Sequence, residues 1–376
     1  MPGILRTVDN YVGRLLRSQH PALRRVDRFM AKTFGQLPSL RQLIPADGPL
    51  ESPNFFMTGD DNRRRIEAVF DAEMGFDVKV EVGRSVQGTK GLYQVRQMFA
   101  EGGMARIFVV HDQQGREYLL KKLMNLDNFS KADRDQLRLR FAKEIQIMEN
   151  INSRNVVALI DRDPQPFPSF YIMERIQGKD LISALKPGQT FDPRVSLGLM
   201  IQILKGLVAF ERAARQISPT GNFAHRDIKP ENIFLEIADN KVKRAVLGDF
   251  GIAKLPQSEL TAVEQFMGTP GYAAPEVIHY GGTKQADHRA DIFSLGAVLY
   301  WLLTGVEPFV SNDPSQMISF SADPKHFIDK LIPNRPAHVS PLIWQATFRA
   351  LAPKPEDRFS SYQAMHDVLL TIFQMS

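Results

Sequence analysis

Residues 225–232 read His-Arg-Asp-Ile-Lys-Pro-Glu-Asn. Within six positions they place a carboxylate at Asp227, an ammonium group at Lys229 and an amide at Asn232. A carboxylate can orient and deprotonate an incoming hydroxyl, an ammonium group can offset charge on a moving phosphoryl group, and an amide oxygen can ligate magnesium. The octapeptide therefore indicates phosphoryl transfer.

A second carboxylate follows at a spacing that would bring it beside the first. Residues 233–237 and the run that ends at Leu247 read as two strands joined by a turn at Asp239 and Asn240. The tetrapeptide Gly-Asp-Phe-Gly follows directly at 248–251. We therefore predict that its aspartate, Asp249, is a second metal ligand.

Both motifs resemble those of the eukaryotic-like (Hanks-type) serine/threonine protein kinases, with bacterial members closest. The resemblance implies that Asp227 is the catalytic base and that Lys229 contacts phosphate. It also implies that Asn232 and Asp249 ligate Mg²⁺ or Mn²⁺, with ATP as co-substrate.

The second half of the chain carries three further matches to this family. Residues 268–276, Gly-Thr-Pro-Gly-Tyr-Ala-Ala-Pro-Glu, resemble the end of the activation segment, where the family docks its substrate. Thr269 is expected to bond within the active site and to help select hydroxyl substrates. Glu276 matches the glutamate that pairs with a late arginine, here Arg358. Asp291 matches the aspartate that braces the catalytic loop.

The first half carries the lysine and glutamate that the family uses to orient ATP. Residues 118–123, Tyr-Leu-Leu-Lys-Lys-Leu, resemble the strand that bears the lysine, and the register selects Lys121, with Lys122 as the alternative. The helical segment that follows resembles the family's third helix. Glu144 is therefore expected to hold Lys121 against the phosphates, with Glu149 as the alternative.

The implied nucleotide pocket departs from the family pattern in its glycine-rich loop. Of the three glycines in Gly-x-Gly-x-x-Gly, the chain keeps Gly102 and has Ala100 and Ala105 in the other places. Leu119 stands where the family usually has alanine above adenine, so nucleotide affinity is expected to be modest. The residues implied to contact ATP are Ala100, Gly102, Gly103, Ile107, Lys121, the gatekeeper Met173, Glu174 and Ile176 of the hinge, and Asp180 at the ribose.

The resemblance implies an α+β fold of two lobes. We predict a catalytic domain over residues 91–376, with a small antiparallel sheet and one main helix at about 91–173 and a larger helical lobe at about 177–376. Residues 1–90 are predicted to form a basic, mainly helical extension with a linker, and the alternation of apolar residues from Phe76 to Val82 predicts a strand in it.

The net positive charge of the chain is concentrated in the first part of this extension. The formal net charge is +5, and residues 1–50 hold eight Lys or Arg, three Asp and no Glu. A basic surface of this kind favours a protein partner or an anionic membrane, and ordinary solvated helix faces are the simpler interpretation. No specific nucleic acid is expected. The longest apolar run, residues 292–303, is too short to span a membrane and is predicted to be a buried helix.

These observations favour an active serine/threonine protein kinase that transfers the γ-phosphoryl group of Mg-ATP to proteins. A pseudokinase scaffold is the alternative, motivated by the alanines of the glycine-rich loop. A small-molecule phosphotransferase is a second alternative, but such enzymes lack the segment at 268–276. The chain has no cysteine, which is consistent with a reducing cytoplasm, while a secreted effector or an organelle-targeted protein stays open.

Arg226 precedes the catalytic aspartate, as it does in kinases whose activation segment is ordered by a phosphate. Ser258 and Thr261 are the candidate phosphosites, and autophosphorylation there is expected. Glu259 or Glu264 is the alternative partner that would neutralise Arg226 without a phosphate.

Overall fold

The computed structural model describes residues 78–102, 105–124, 131–165, 168–186, 188–218, 223–239, 241–249, 270–279, 287–309 and 319–376. The helices predicted before residue 78 lie outside the described residues. The candidate residues Gly103, Ser258, Thr261 and Thr269 lie outside them as well.

The chain divides into two compact units. The smaller consists of Met1–Lys79 and Asp163–Ser169, and within it the Asp163 carboxylate accepts hydrogen bonds from the N–H and hydroxyl of Ser169 at 2.9 and 2.8 Å. The larger consists of Val80–Arg162 and Phe170–Ser376. All the candidate site residues that the structure describes belong to this larger unit.

The larger unit is built from a sheet with one long helix, followed by a mainly helical region. The strands are β1 (Ser85–Gln87), β2 (Leu92–Glu101), β3 (Ala105–His111), β4 (Glu117–Leu123), β5 (Leu159–Arg162), β6 (Phe170–Glu174), β7 (Gly178–Asp180), β8 (Ile233–Ala238) and β9 (Lys241–Leu247). The α-helices are α1 (Lys131–Glu149), α2 (Leu181–Ala184), α3 (Pro193–Ile217), α4 (Pro275–His279), α5 (His288–Thr304), α6 (Pro324–Asp329), α7 (Pro341–Ala350) and α8 (Tyr362–Met375).

The first sheet has six antiparallel strands in the order β1-β2-β3-β4-β6-β5. Its register sets Lys121 in β4 opposite Ile107 in β3 and opposite Tyr171 in β6. Helix α1 packs against this sheet through Leu137 and Phe141, which are fully buried. The helical segment predicted to follow the strand of Lys121 is therefore confirmed, and it carries Glu144 towards β4.

Helix α5 is the buried centre of the helical lobe, since each residue from Ala290 to Leu303 is buried. Asp287 caps its first turn by accepting the Arg289 N–H at 2.8 Å, and Gly305 ends it in the left-handed conformation at φ 71°. Helices α3, α7 and α8 contribute to the same core. The buried helix predicted at 292–303 is confirmed.

A second, three-stranded sheet places the catalytic motifs. Its order is β7-β8-β9, and β8 and β9 are the two strands predicted between the motifs. Residues 225–232 enter β8, and Asp249 follows the end of β9 at Leu247. The hairpin therefore brings the two ends, and both carboxylates, to the same edge.

Helix α3 is long and apolar enough to cross a membrane by length and composition, and it is the one such helix in the described part of the chain. Within the fold, 56% of its most apolar stretch is buried. Its Leu197, Ile203, Leu204 and Leu207 lie in the core of the helical lobe. These contacts account for its apolar face.

The predicted strand from Phe76 to Val82 is wrong for its described part, because Val78–Glu81 has no regular structure and Val82 lies in a turn. The first strand is Ser85–Gln87, which pairs with β2. The sheet therefore begins on the N-terminal side of the boundary predicted at residue 91, and the boundary itself stays a prediction.

The turn of the β1–β2 hairpin reaches the opposite edge of the sheet. Asp161 in β5 is buried and accepts the Lys90 N–H at 2.8 Å and the Thr89 hydroxyl, while the Thr89 N–H donates to the carbonyl of Arg162 at 3.0 Å. A Cβ atom at Gly88 would lie 2.3 Å from Asp161 Oδ2, so only glycine permits this approach. The hairpin thereby closes the curl of the sheet.

Substitution Asp161→Ala is expected to lower the free energy of unfolding by about 1–2 kcal/mol, because the Thr89 hydroxyl and the Lys90 N–H lose their buried, charged acceptor. Chemical denaturation followed by circular dichroism measures this change. Asp329→Ala serves as the matched control, since Asp329 pairs with Lys325 on the surface and its loss is expected to leave the midpoint close to the parent's. Equal midpoints for the two variants would contradict the role assigned to Asp161.

Candidate active site

The groups predicted from the octapeptide lie together. The side-chain N–H₂ of Asn232 donates to the backbone carbonyl and to Oδ2 of Asp227, both at 2.8 Å. Lys229 Nζ lies 3.6 Å from Asp227 Oδ1. A 3₁₀ turn over Pro230–Asn232 produces this arrangement by bringing the Asn232 amide back towards Asp227.

The loop is held from below by Asp291, in the first turn of α5. Its carboxylate is buried and accepts the backbone N–H of His225 at 2.5 Å and that of Arg226 at 2.8 Å. The hydroxyl of Tyr362, from α8, donates to the same carboxylate at 2.5 Å. The brace predicted for Asp291 is confirmed, and its third donor was not predicted.

Two non-glycine residues of the motifs have left-handed backbones, Arg226 at φ 66° and Asp249 at φ 53°. Such conformations cost free energy and persist where the surroundings fix them. The two backbone bonds to Asp291 supply that constraint for Arg226.

Three charged side chains connect the sheet, α1 and the segment after β9. Lys121 Nζ lies 3.2 Å from Glu144 Oε1 and 2.7 Å from Asp249 Oδ1. Glu144 is completely buried, whereas half of the Asp249 side chain is exposed. These two contacts place the ammonium group of Lys121 at the edge of the β7-β8-β9 sheet where the catalytic loop enters β8.

Burial sets the protonation tendencies of this pair. It raises the pKa of Glu144, although Lys121 opposes the rise. Burial alone would lower the pKa of Lys121, but the charges of Glu144, Tyr171 and Asp249 outweigh it and raise this pKa well above its ordinary value. Lys121 is therefore held as a cation.

Lys122 and Glu149, the alternatives to Lys121 and Glu144, make different contacts. Lys122 Nζ donates to the carbonyl of Leu123 at 3.1 Å. Glu149 forms an ion pair with Arg162 at 2.8 Å. Among these side chains, the geometry therefore favours the pairing of Lys121 with Glu144.

The predicted hinge is tethered to the helical lobe through Glu174. Its carboxylate accepts the Ala158 N–H at 2.8 Å and pairs with Arg244 of β9 at 2.8 Å, and Arg244 also pairs with Glu236 of β8. The Glu174 N–H donates to the carbonyl of Ala158 at 3.0 Å. Ile176 follows the end of β6.

Other residues predicted at the nucleotide lie in strands β2, β3 and β6 or next to them. Ala100 pairs with Ile107 across β2 and β3, and the Gly102 N–H donates to the Ala105 carbonyl at 2.9 Å to close the hairpin. Met173 pairs with Leu119 across β6 and β4.

Asp180 has a structural use that was not predicted. Its carboxylate caps α2 by accepting the Ser183 N–H at 2.7 Å. The ribose contact expected of Asp180 stays a prediction.

The chemistry of the donors fits a hard divalent cation. Both N–H bonds of the Asn232 side chain are directed at Asp227, which leaves the amide oxygen as a ligand atom. Asp249 adds a carboxylate. Within the described residues, no three His, Cys, Asp or Glu side chains form a metal cluster, and two oxygen ligands completed by phosphate and water are what Mg²⁺ commonly takes.

A basic cluster lies where α1 meets the catalytic loop. Arg226 is partly buried, and burial lowers its pKa despite the charge of Asp291. Burial and then the charge of Arg226 lower the pKa of Arg140 and of Lys143, which both lie on α1. Three cations thus share one partly buried region, and such a region favours an anionic partner.

The pair predicted at the end of the activation segment is present. Arg358 donates two hydrogen bonds to the Glu276 carboxylate at 2.7 and 2.9 Å, and its side chain is completely buried. It also donates to the backbone carbonyls of Ala352, Arg289 and Pro353. The contact fastens α4 to the helical lobe.

Comparison with known proteins agrees with this geometry. Residues 93–370 match the family profile described as protein kinase domain, so the chain belongs to the protein kinase family, as the resemblance and the predicted two-lobed fold required. It is 30% identical to serine/threonine-protein kinase pkn3 of Myxococcus xanthus over 284 residues, 72% of this chain and 48% of that protein.

Two further relatives show the same level of similarity. The chain is 30% identical to a probable serine/threonine-protein kinase, pknA2, of Bifidobacterium longum, over 62% of this chain and 29% of that protein. It is 30% identical to serine/threonine-protein kinase PknL of Mycobacterium tuberculosis over 73% of this chain and 63% of that protein. The chain therefore spans 29% to 63% of these three relatives.

Sequence reasoning missed three residues that shape the site. Tyr171 bonds to Glu144, Tyr362 bonds to Asp291, and Arg244 holds the hinge. Tyr171 and Arg244 each lie in an apolar or strand-forming run, whereas Tyr362 begins helix α8 after two serines. A hydroxyl or guanidinium group in a segment that is expected to be buried indicates a hydrogen-bond partner elsewhere in the fold, because a buried polar group requires one. It does not identify that partner.

Substitution Asp291→Asn is expected to slow phosphoryl transfer by about 10- to 100-fold, because backbone N–H groups lose a charged acceptor and the loop loses its constraint. Initial rates of transfer to a generic protein substrate measure the effect. Asp287→Asn, one turn earlier on the same helix, is the control, since asparagine caps helices as well as aspartate does. A full rate in the Asp291 variant would contradict the brace.

Proposed function

We propose that this chain is an active protein kinase that transfers the γ-phosphoryl group of Mg-ATP to serine or threonine hydroxyls of proteins. The observation that supports the proposal is the placement of five polar residues. Asn232 bonds to Asp227 in the catalytic loop, and Lys121 contacts both Glu144 and Asp249. These residues come from four separate elements, and a scaffold without catalysis would not need all of them in one place.

Lys121 and the hinge are proposed to bind the nucleotide. The Lys121 ammonium, fixed by Glu144, would contact the phosphates, and the Glu174 carbonyl together with the Ile176 N–H would bind adenine. Leu119 and Met173 lie opposite each other beside this position. Ala100, Gly102, Gly103 and Ile107 complete the proposed pocket, with Asp180 at the ribose.

Asn232 and Asp249 are proposed to hold magnesium. The metal, when bound, would neutralise charge on the phosphates. Asp227 would accept a hydrogen bond from the substrate hydroxyl and take its proton, and the Asn232 amide fixes the carboxylate for that contact. Lys229 lies beside the same carboxylate and would contact the transferred group, as in serine/threonine enzymes, with Thr269 as an accessory residue.

The basic extension is proposed to dock on the catalytic domain or on a target protein. Its local excess of Lys and Arg supports an acidic protein face as partner, with an anionic membrane as the alternative. A cytoplasmic location is proposed from the absence of cysteine.

Incubation of the parent with radiolabelled ATP, magnesium and a generic basic protein is expected to label both proteins. Asp227→Asn and Lys121→Met are each expected to reduce the rate of labelling by at least about 100-fold, since they remove the base and the phosphate contact. Lys122→Met is the matched control, and it is expected to keep the label. A folded parent that binds ATP but transfers nothing would favour the pseudokinase alternative.

Autophosphorylation is expected in the activation segment, at Thr261 or Ser258, because Arg226, Arg140 and Lys143 gather beside the catalytic loop. Mass spectrometry of the labelled parent locates the phosphate. Thr261→Ala and Ser258→Ala, singly and together, are expected to lower the transfer rate by about 10-fold or more when the phosphate orders the segment. Full activity of the double variant would instead support Glu259 or Glu264 as the partner of Arg226.

A further inference from the structure

A tyrosine hydroxyl enters the buried ion pair that positions Lys121. The Tyr171 hydroxyl lies 2.9 Å from Glu144 Oε1, the same oxygen that receives Lys121 Nζ at 3.2 Å. Tyr171 is also the cross-strand neighbour of Lys121, and Lys121 Nζ lies 5.7 Å from the centroid of its ring. One residue of β6 therefore contacts both members of the pair.

The ring of Tyr171 is fixed by the helix that carries Glu144. Its centroid lies 5.4 Å from that of Phe141, one turn before Glu144 on α1. Tyr171 is 1% exposed and belongs to the core cluster that joins α1 to β4 and α3. Packing around the ring therefore sets the direction of the Tyr171 hydroxyl. Because the side chain is already ordered, the hydrogen bond to Glu144 costs little side-chain entropy.

The Glu144 carboxylate depends on few donors. It is completely buried, and within the described part of the chain no donor reaches its Oε2 atom. Lys121 and Tyr171 are the donors to Oε1. A buried carboxylate with too few hydrogen bonds is costly, so removal of one donor would favour another side-chain conformation.

We propose that Tyr171 is a positioning residue of the nucleotide site, whose hydroxyl holds Glu144 in the conformation that keeps Lys121 at the ATP phosphates. This inference rests on the proposed function, because it assigns the phosphates to Lys121. It adds a third member to the pair that the sequence predicts.

The test is Tyr171→Phe, which removes the hydroxyl and keeps the ring. Isothermal titration of the full chain with Mg-ATP and, separately, with adenosine compares a ligand that has phosphates with one that has none. ATP affinity is expected to fall about 10-fold, with adenosine affinity unchanged. Tyr118→Phe is the matched control, since its hydroxyl contacts Asp112 in the same sheet at 3.4 Å.

A double-variant cycle separates positioning from general packing. In a Glu144→Ala background, Tyr171→Phe is expected to weaken ATP binding no further, because the acceptor through which it acts is already gone. Equal losses of ATP and adenosine affinity, an unchanged ATP affinity, or a full additional loss in the double variant would each overturn the proposal. Because binding is measured without transfer, a parent that binds ATP but labels nothing would refute the proposed kinase activity and leave this inference standing.

Discussion

The completely buried carboxylate of Glu144 is the constraint on which the site depends. An ionised group in the core is stable only when donors meet it in fixed geometry. Those donors come from β4 and β6, while the lysine also contacts Asp249, two residues after the end of β9. The sheet, α1 and the β8–β9 hairpin must therefore all be in place before the charge is satisfied, which couples formation of the site to completion of the fold.

Asp291 plays the same part in the helical lobe. It enters from a helix whose sides are all buried, so its position is fixed by packing, and its carboxylate meets two consecutive backbone N–H groups. Arg226 can then keep its left-handed backbone. The result is a rigid loop that presents Asp227 and Asn232 from the end of a strand, where small displacements would matter most for transfer.

The sequence predicted what depends on short spacing. The loop at 225–232, the two strands after it and the buried helix at 292–303 follow from local motifs. The pairing of Glu276 with Arg358, which are 82 residues apart, was predicted from the family resemblance alone. The contacts of Tyr171 and Tyr362 could not be predicted, because no motif identifies their partners, which lie 27 and 71 residues away. The strand expected up to Val82 failed for a related reason, since alternation indicates one buried face but does not name the strand that pairs with it.

The alanines of the glycine-rich loop are easier to reconcile with a working pocket once the backbone is known. Glycine is required where φ is positive or where another group comes too close for a Cβ atom. Neither Ala100 nor Ala105 is among the described residues with positive φ, and both lie in strands. The hairpin therefore forms without strain at these positions. In the proposed nucleotide pocket, the two methyl groups would limit how closely a phosphate approaches the backbone, so we expect them to affect nucleotide affinity and not the stability of the lobe.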